Sequence, residues 1–113
     1  MPSASETFEA WSPVERDCIK ALEIYEQHLY EKHKRKRVAG RVRQQMHKHG
    51  IVRGIDVFVR GKGDRQGFSE LTQKGMDAFT FEAVVLRHKN AFSEESVAQA
   101  KERQNKRKRA KAA

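Results

Sequence analysis

The side chains best suited to binding chemistry lie on one face of a helix that the hydrophobic pattern predicts over about residues 36–49. Val38, Val42 and Met46 recur every four residues and form the apolar side of this helix. The opposite side carries, at spacings of four, three and four, the residues Arg37, Arg41, Gln44 and Lys48. Lys and Arg release the counterions condensed on nucleic-acid phosphates, and Arg and Gln can read guanine and adenine edges. The pattern therefore predicts a nucleic-acid-binding face.

Further basic residues surround this face. The segment 31–53 holds nine Lys or Arg against Glu31 alone, so few local salt bridges can neutralise it. The additional candidates for nucleic-acid contact are Lys34, Arg35, Arg43 and Arg53. Two other interpretations of this charge stay open, a solvated helix surface and a docking surface for an acidic protein.

A second basic block covers residues 101–111, with seven Lys or Arg against Glu102. Its candidates for nucleic-acid contact are Lys106, Arg107, Lys108 and Arg109. We expect either a helix extension or a disordered arm that binds phosphates without sequence preference, and a solubilising tail is the alternative. The few small apolar residues ahead of this block are too little for a membrane-surface helix, so membrane is the weakest of the possible partners.

The uneven distribution of charge defines the functional prediction. The net charge is +9, and it is concentrated in these two blocks while the rest of the chain is acidic or nearly balanced. We predict a non-enzymatic nucleic-acid-binding protein in an accessory or regulatory role, with double-stranded DNA favoured over RNA as its partner. The alternative is an accessory subunit that docks an acidic protein partner. The sequence does not define the oligomeric state.

The histidines do not form a recognisable metal site. His47 and His49 flank Lys48, and His28 and His33 are five residues apart. Neither pair has the carboxylate partner or the spacing of a zinc motif. We therefore predict no metal and no cofactor. His88 follows an apolar stretch and is expected at the edge of the core with one ring nitrogen hydrogen-bonded.

Catalytic motifs are also missing from the sequence. There is no Walker loop, nucleophile elbow or paired Cys/His motif. The segment Gly61–Gly63 lacks the rest of a phosphate-binding loop and is better interpreted as a turn. Asp56 and Asp64 with Lys62 suggest a nuclease only weakly, because such combinations are common. We predict that the protein is not an enzyme.

The first helix has a well-defined start. Ser12 can cap it, Pro13 suits its first position and Glu15 can complete a capping box. An apolar stripe then continues to about His33, where the helix is expected to end, and it consists of Val14, Cys18, Leu22, Tyr25 and Leu29. Cys18 is therefore interpreted as a small buried hydrophobic residue.

Residues 51–71 allow two structures. Ile55, Phe58 and Val59 fit helical spacing, and Gly50 suits a helix stop before them. The same β-branched and aromatic residues also fit a hairpin at 55–71, the wing of a winged helix. The helix is favoured, with Phe68 on a short helix that follows and ends near Gly75.

The later segments are predicted to be helical. Residues 77–88 form a buried helix on this interpretation, and Ser93 caps a last helix whose first turn holds Glu94 and Glu95. The prediction is a mostly α, single-domain helical bundle over 12–100. A flexible lead occupies 1–11, and a basic C-terminal arm occupies 101–113.

Composition suggests a soluble, cytoplasmic chain. Cys18 is the single cysteine, so no internal disulfide is possible and a reducing compartment is the simplest setting. No apolar run approaches the roughly 18 residues that span a bilayer, and residues 1–9 have no secretory-signal pattern.

Several segments resemble a family of small bacterial proteins associated with plasmids and other accessory DNA. The resemblance is carried by Met76–His88, Phe92–Val97, Arg41–Met46 and His49–Val52, and it covers roughly residues 38–103. It implies a mobile-element context and no particular activity, and it favours helix after Gly50. The segment Leu71–Met76 alone resembles the part of MarR-type winged-helix regulators that follows the wing.

Overall fold

Six α-helices make up most of the computed structural model, which describes residues 11–35, 39–61 and 65–112, without the side chains of 65–66 and 107–112. In chain order they are α1 (Pro13–His33), α2 (Gly40–His49), α3 (Ile51–Arg60), α4 (Arg65–Gln73), α5 (Phe81–Arg87) and α6 (Glu94–Ala112). Two 3₁₀ turns, Asp77–Phe79 and Lys89–Ala91, flank α5. The described ranges contain no strand, so the predicted helical bundle is confirmed. The predicted lead, residues 1–11, falls outside these ranges except for Trp11.

Helix α1 has the predicted limits. The Ser12 hydroxyl accepts a hydrogen bond from the Glu15 N–H at 3.3 Å, and the Glu15 carboxylate accepts one from the Ser12 N–H at 3.0 Å. Such caps contribute about 0.5–2 kcal/mol because they satisfy N–H groups that have no partner in the helix. Cys18 and Leu22 are buried along the inner face. The helix stops where Lys34 adopts a left-handed backbone, with φ of 58°, and donates its N–H to the Tyr30 carbonyl.

A single residue, Gly50, joins α2 to α3. Its φ of 95° suits glycine, and it ends α2 where the sequence predicted. Helix α2 begins at Gly40, later than the predicted residue 36, and residues 36–38 lie outside the described ranges. The hairpin alternative at 55–71 is wrong, because Ile55 and Val59 turn one face of α3 fully into the core. A strand would have placed alternate residues there.

Helix α3 packs against α2 through Gly54. A Cβ at this position would lie 2.5 Å from the Met46 Cα, so only glycine permits the observed approach of the two helices. Backbones this close leave little freedom in the angle between α2 and α3. The exposed face of α2 is therefore held in a fixed orientation relative to the core.

The predicted helix over 77–88 is divided in two. Thr80 is extended, with ψ of 157°, and its hydroxyl accepts a hydrogen bond from the Ala83 N–H at 3.1 Å. Residue types such as Thr favour this capping geometry over a helix interior, so α5 starts only after it. The helix α4 that precedes this turn buries Phe68 and Leu71, and Gly75 follows with φ of 78°.

The core lies where α1, α3, α5 and α6 meet. Phe81 on α5 is central, with its ring centroid 5.6 Å from both the Tyr25 ring and the Phe58 ring. Val84, Val85 and Ala100 are fully buried around it. Burial of a large side chain such as that of Phe81 contributes about 1.5–3 kcal/mol, so the stability of the bundle depends on a few large residues.

Helix α6 and its cap are bonded to the core both before and after residue 100, which is the predicted end of the domain. At its start, the buried Asp56 accepts the Ser93 N–H at 2.8 Å, and the Ser96 hydroxyl donates to the Asp56 carbonyl at 2.9 Å. Further along, Arg103 is 7 % exposed and pairs with Glu82 at 2.6 Å. The first turn of the predicted arm is thus part of the domain. Among the described residues, no helix combines the length and apolar composition needed to cross a bilayer.

Candidate nucleic-acid interface

The outer surface of α2 carries the predicted binding residues. Arg41, Gln44 and Lys48 are exposed, while Val42 is buried and Met46 is partly buried against the core. The helical spacing therefore separates polar from apolar side chains as the sequence predicts. Arg37, the fourth residue of the pattern, lies outside the described ranges.

Two cations on this surface have no described counter-ion. Neither Arg41 nor Lys48 forms an ion pair with any residue that the structure describes, and no acidic residue occurs between Glu31 and Asp56. Their charge is therefore available for an anionic partner. The neighbouring His47 and His49 are also exposed.

Arg43 has a different environment from Arg41. Its guanidinium donates two hydrogen bonds to the Glu26 carboxylate of α1, both at 2.6 Å, and the same carboxylate accepts the Ala39 N–H at 2.8 Å. These hydrogen bonds from the guanidinium to the Glu26 carboxylate raise the pKa of Arg43. Glu26 fixes the start of α2 to α1, so Arg43 acts in the structure as an internal ion-pair partner.

No local sequence pattern predicts this ion pair. Glu26 is far from the basic block along the chain, and the count of acids within 31–53 did not include it. A weak signal existed, because Glu26 lies on α1 beside the apolar stripe that contacts the rest of the bundle. The expectation that few salt bridges neutralise the block was therefore too simple for Arg43.

The other candidates for nucleic-acid contact in the first block occupy two places. Lys34 and Arg35 follow the end of α1 and are exposed, without an ion pair to any described residue. Arg53 lies on α3, with its side chain 60 % exposed and its guanidinium 3.9 Å from the Asp56 carboxylate. Burial alone would raise the pKa of Asp56, but the hydrogen bonds from Ser93 and Ser96 and the nearby Arg60 lower it overall.

The second basic block is helical through Ala112. Lys106 is exposed and pairs with Glu102 at 3.2 Å, one turn earlier. Arg107, Lys108 and Arg109 lie on the helix, but their side chains are outside the described set. Of the two forms expected for this block, the helix extension is the one observed for the backbone.

A polar network beside the interface joins α1 to α4. His28 is 5 % exposed, with Nε2 at 2.6 Å from Glu70 and Nδ1 at 2.9 Å from the Lys74 ammonium. Since an ammonium can only donate, Nδ1 is the acceptor and Nε2 carries the hydrogen. Glu70 also accepts from Lys32 at 2.7 Å, and Lys74 donates to Glu31 at 3.0 Å. The acids near the end of α1 are thus paired.

His88 and Cys18 have structural roles at the core. The His88 ring lies 2.7 Å from Asp17, which confirms its position at the core edge with one nitrogen bonded. Burial raises the pKa of the Cys18 thiol to about 12, so the thiolate needed for nucleophilic chemistry is disfavoured.

Within the described ranges, no three His, Cys, Asp or Glu side chains are grouped closely enough to hold a metal ion. Lys62 and Asp64 of the weak nuclease alternative lie outside those ranges.

Comparison with known proteins identifies no matching family model, no similar curated protein and no similar solved structure. Function must therefore be inferred from the geometry and charge of the chain itself.

Proposed function

We propose that the protein binds nucleic acid without catalysing a reaction, with double-stranded DNA as its preferred partner and α2 as its main contact. The observation that carries this proposal is the outer face of α2, where Arg41 and Lys48 are exposed and have no described counter-ion. Uncompensated cations on a rigid helix repel one another, and an anionic partner relieves that cost. DNA phosphates supply dense negative charge.

The dimensions of α2 suit a duplex. Its 10 residues span about 15 Å, and Arg41 and Lys48 are about 10 Å apart along its axis. A DNA major groove is about 12 Å wide and admits one α-helix. Gln44 lies between the two cations on the same face and is of a residue type that can pair with adenine edges. The fixed contact through Gly54 holds this face outward.

Helix α6 supplies a second contact in this proposal. Arg103 binds the helix to the core, and the basic residues that follow continue on the same helical backbone. A helix that carries Lys106 to Arg109 adds phosphate contacts without reading bases. An accessory or regulatory role on bacterial mobile elements belongs to the proposal as well, and it is supported by the sequence resemblance alone.

A salt-dependent titration tests the proposal. Fluorescence anisotropy is measured with labelled duplex DNA, single-stranded DNA and RNA of equal length at several salt concentrations. For about 4–6 phosphate contacts, the logarithm of the association constant falls with log salt at a slope near −4 to −5 on duplex DNA. Absence of binding to all three probes at low salt overturns the proposal. Tighter binding to RNA than to duplex DNA overturns its preference for DNA.

A docking role for an acidic protein is the competing function. The same unpaired cations at Arg41 and Lys48 suit a carboxylate surface. A stoichiometric protein partner that survives nuclease treatment of the native complex, together with no duplex binding by the purified protein, would favour docking. Loss of the partner on nuclease treatment would instead favour nucleic acid.

A further inference from the structure

Tyr30 is the one large hydrophobic residue exposed among the described residues, with 51 % of its surface accessible. It lies on the last turn of α1. The other tyrosine, Tyr25, is partly buried and packs its ring against Phe81. An isolated apolar residue on a surface is ordinary, so the environment of Tyr30 decides whether it has a function.

That environment is basic and uncompensated. Lys34 and Arg35 follow Tyr30 immediately after the helix, and both are exposed without an ion pair to a described residue. The acids that could neutralise them have other partners. Glu31 binds Lys74, and Glu26 binds Arg43. The Lys34 N–H also donates to the Tyr30 carbonyl at 2.8 Å, so the backbone of the first cation lies close to that of the tyrosine. An aromatic residue followed closely in the chain by two available cations is a combination that can stack a base and neutralise its phosphate.

The same surface adjoins the start of α2. Glu26 and Tyr30 are four residues apart on α1, so they share a face and are separated by about 6 Å along the axis. Glu26 is the residue that holds Ala39 and Arg43. Tyr30 is therefore about one helical turn from the point where α1 meets the proposed duplex-binding helix.

We propose that Tyr30, Lys34 and Arg35 form a binding surface for an unpaired nucleotide, so that the protein prefers a duplex with a single-stranded overhang. Bases inside a duplex are stacked on one another and offer no free face to a tyrosine. An unpaired base offers that face, and its backbone offers a phosphate to the two cations. The inference rests on the proposed duplex-binding function, which it extends to a junction.

Anisotropy titrations on matched probes test the inference. The probes are a blunt duplex, the same duplex with a six-nucleotide overhang in DNA or in RNA, and the overhang strand alone. We expect the wild-type protein to bind the overhang duplex about five- to tenfold more tightly than the blunt one, because stacking of one base contributes a factor of this size. Tyr30→Ala should remove this preference while blunt-duplex affinity stays within about twofold.

Two further variants separate stacking from other effects. Tyr30→Phe keeps the ring and should keep the preference, whereas Tyr30→Leu keeps apolar surface without a π face and should lose it. Because Tyr30 is exposed, we expect each variant to fold, and circular dichroism melting verifies this. An equal overhang preference in wild type and Tyr30→Ala overturns the inference. A change in oligomeric state with Tyr30→Ala would also overturn it and assign the ring to a protein interface.

The outcomes of these titrations distinguish this inference from the proposed duplex-binding function on which it rests. Binding to the blunt duplex without any overhang preference leaves the proposed function intact and overturns the inference. Binding to the overhang strand that requires Tyr30, without binding to the blunt duplex, supports the surface and overturns the duplex function. No binding to any probe overturns both.

Discussion

The basic blocks of α2 and α6 each contain an arginine that forms an ion pair with another helix and an exposed cation that forms none with a described residue. The two blocks differ in the helix that supplies the carboxylate. In each block one arginine faces a carboxylate of another helix. Arg43 binds Glu26 on α1, and Arg103 binds Glu82 on α5. The exposed neighbours Arg41 and Lys101 have no described ion pair. Clustered charge therefore includes both structural and available cations, and residue type alone does not distinguish them.

The two ion pairs, Arg43–Glu26 and Arg103–Glu82, also differ in burial. Both partners of the Arg103–Glu82 pair are almost fully buried, whereas the Arg43 side chain is 53 % exposed. The pair on α6 is thus far more sensitive to the loss of one partner. The face on α2 depends more on backbone packing at Gly54 than on its ion pair.

The largest expected effect comes from Arg103→Ala. This change removes the guanidinium that pairs with the buried Glu82 carboxylate and donates to the Val59 carbonyl, so the free energy of unfolding should fall by about 3–5 kcal/mol. Urea denaturation measures it.

Two controls accompany this variant. Lys101→Ala, two residues away and exposed, should change the free energy of unfolding by less than about 0.5 kcal/mol. The double variant Arg103→Met with Glu82→Met should recover most of the loss, because it removes both buried charges. Equal stability of Arg103→Ala and Lys101→Ala would contradict the structural role of Arg103.

Gly54→Ala tests the attachment of α2. Alanine favours a helix by about 1 kcal/mol, but its Cβ would lie 2.5 Å from the Met46 Cα and the backbones must separate. We expect a net loss of about 1–3 kcal/mol in thermal or urea unfolding. Gly40→Ala, where no atom lies within 4 Å of the added Cβ, should stabilise the protein by about 0.4–1 kcal/mol. Destabilisation of similar size in both variants would contradict close packing at Gly54.

Asp56 predicts a dependence of stability on pH. Its pKa in the folded protein is lowered below the ordinary value of 3.8, so its contribution is present above about pH 4. That contribution is lost as the pH falls below 4 and Asp56 becomes protonated. Asp56→Asn should therefore flatten the loss of stability between about pH 5 and pH 3, measured by denaturation at each pH. Glu23→Gln, at an exposed site, serves as the control. An unchanged profile in Asp56→Asn would count against the hydrogen bonds from Ser93.

Arg43→Gln should have only a small effect on stability. The pair with Glu26 is partly exposed, so its loss should cost at most about 1 kcal/mol. Arg41→Gln should cost less, since it has no described ion pair. If Arg41→Gln proves the more destabilising in urea, then the division between structural and available cations is incorrect.

Much of the fold follows from local sequence. The Ser12–Glu15 capping box, the stripe through Cys18 and the stop at Gly50 were predicted because neighbouring residues determine them. The break at Thr80 was not, since a continuous apolar pattern hid its capping hydroxyl. The choice between helix and strand at 51–60 depends on tertiary packing, because the same apolar residues suit both structures.

The candidate site was predictable only in part. Helical spacing placed Arg41, Gln44 and Lys48 on one exposed face. The partners of Arg43 and Arg103 lie 17 and 21 residues away along the chain, and such pairing depends on how helices meet. The exposure of Tyr30 also depended on packing, because Tyr25 on the same helix turned toward the core.

The most direct test of the central claim compares salt dependence between two double variants. Arg41→Gln with Lys48→Gln removes two cations from the α2 face, and Lys20→Gln with Lys89→Gln removes two exposed cations elsewhere. Each lost phosphate contact should reduce the slope of log K against log salt by about 1. On duplex DNA, the α2 variant should bind more weakly with a slope reduced by about 2, while the control keeps nearly the wild-type slope. Equal slopes in the two variants would contradict binding through α2.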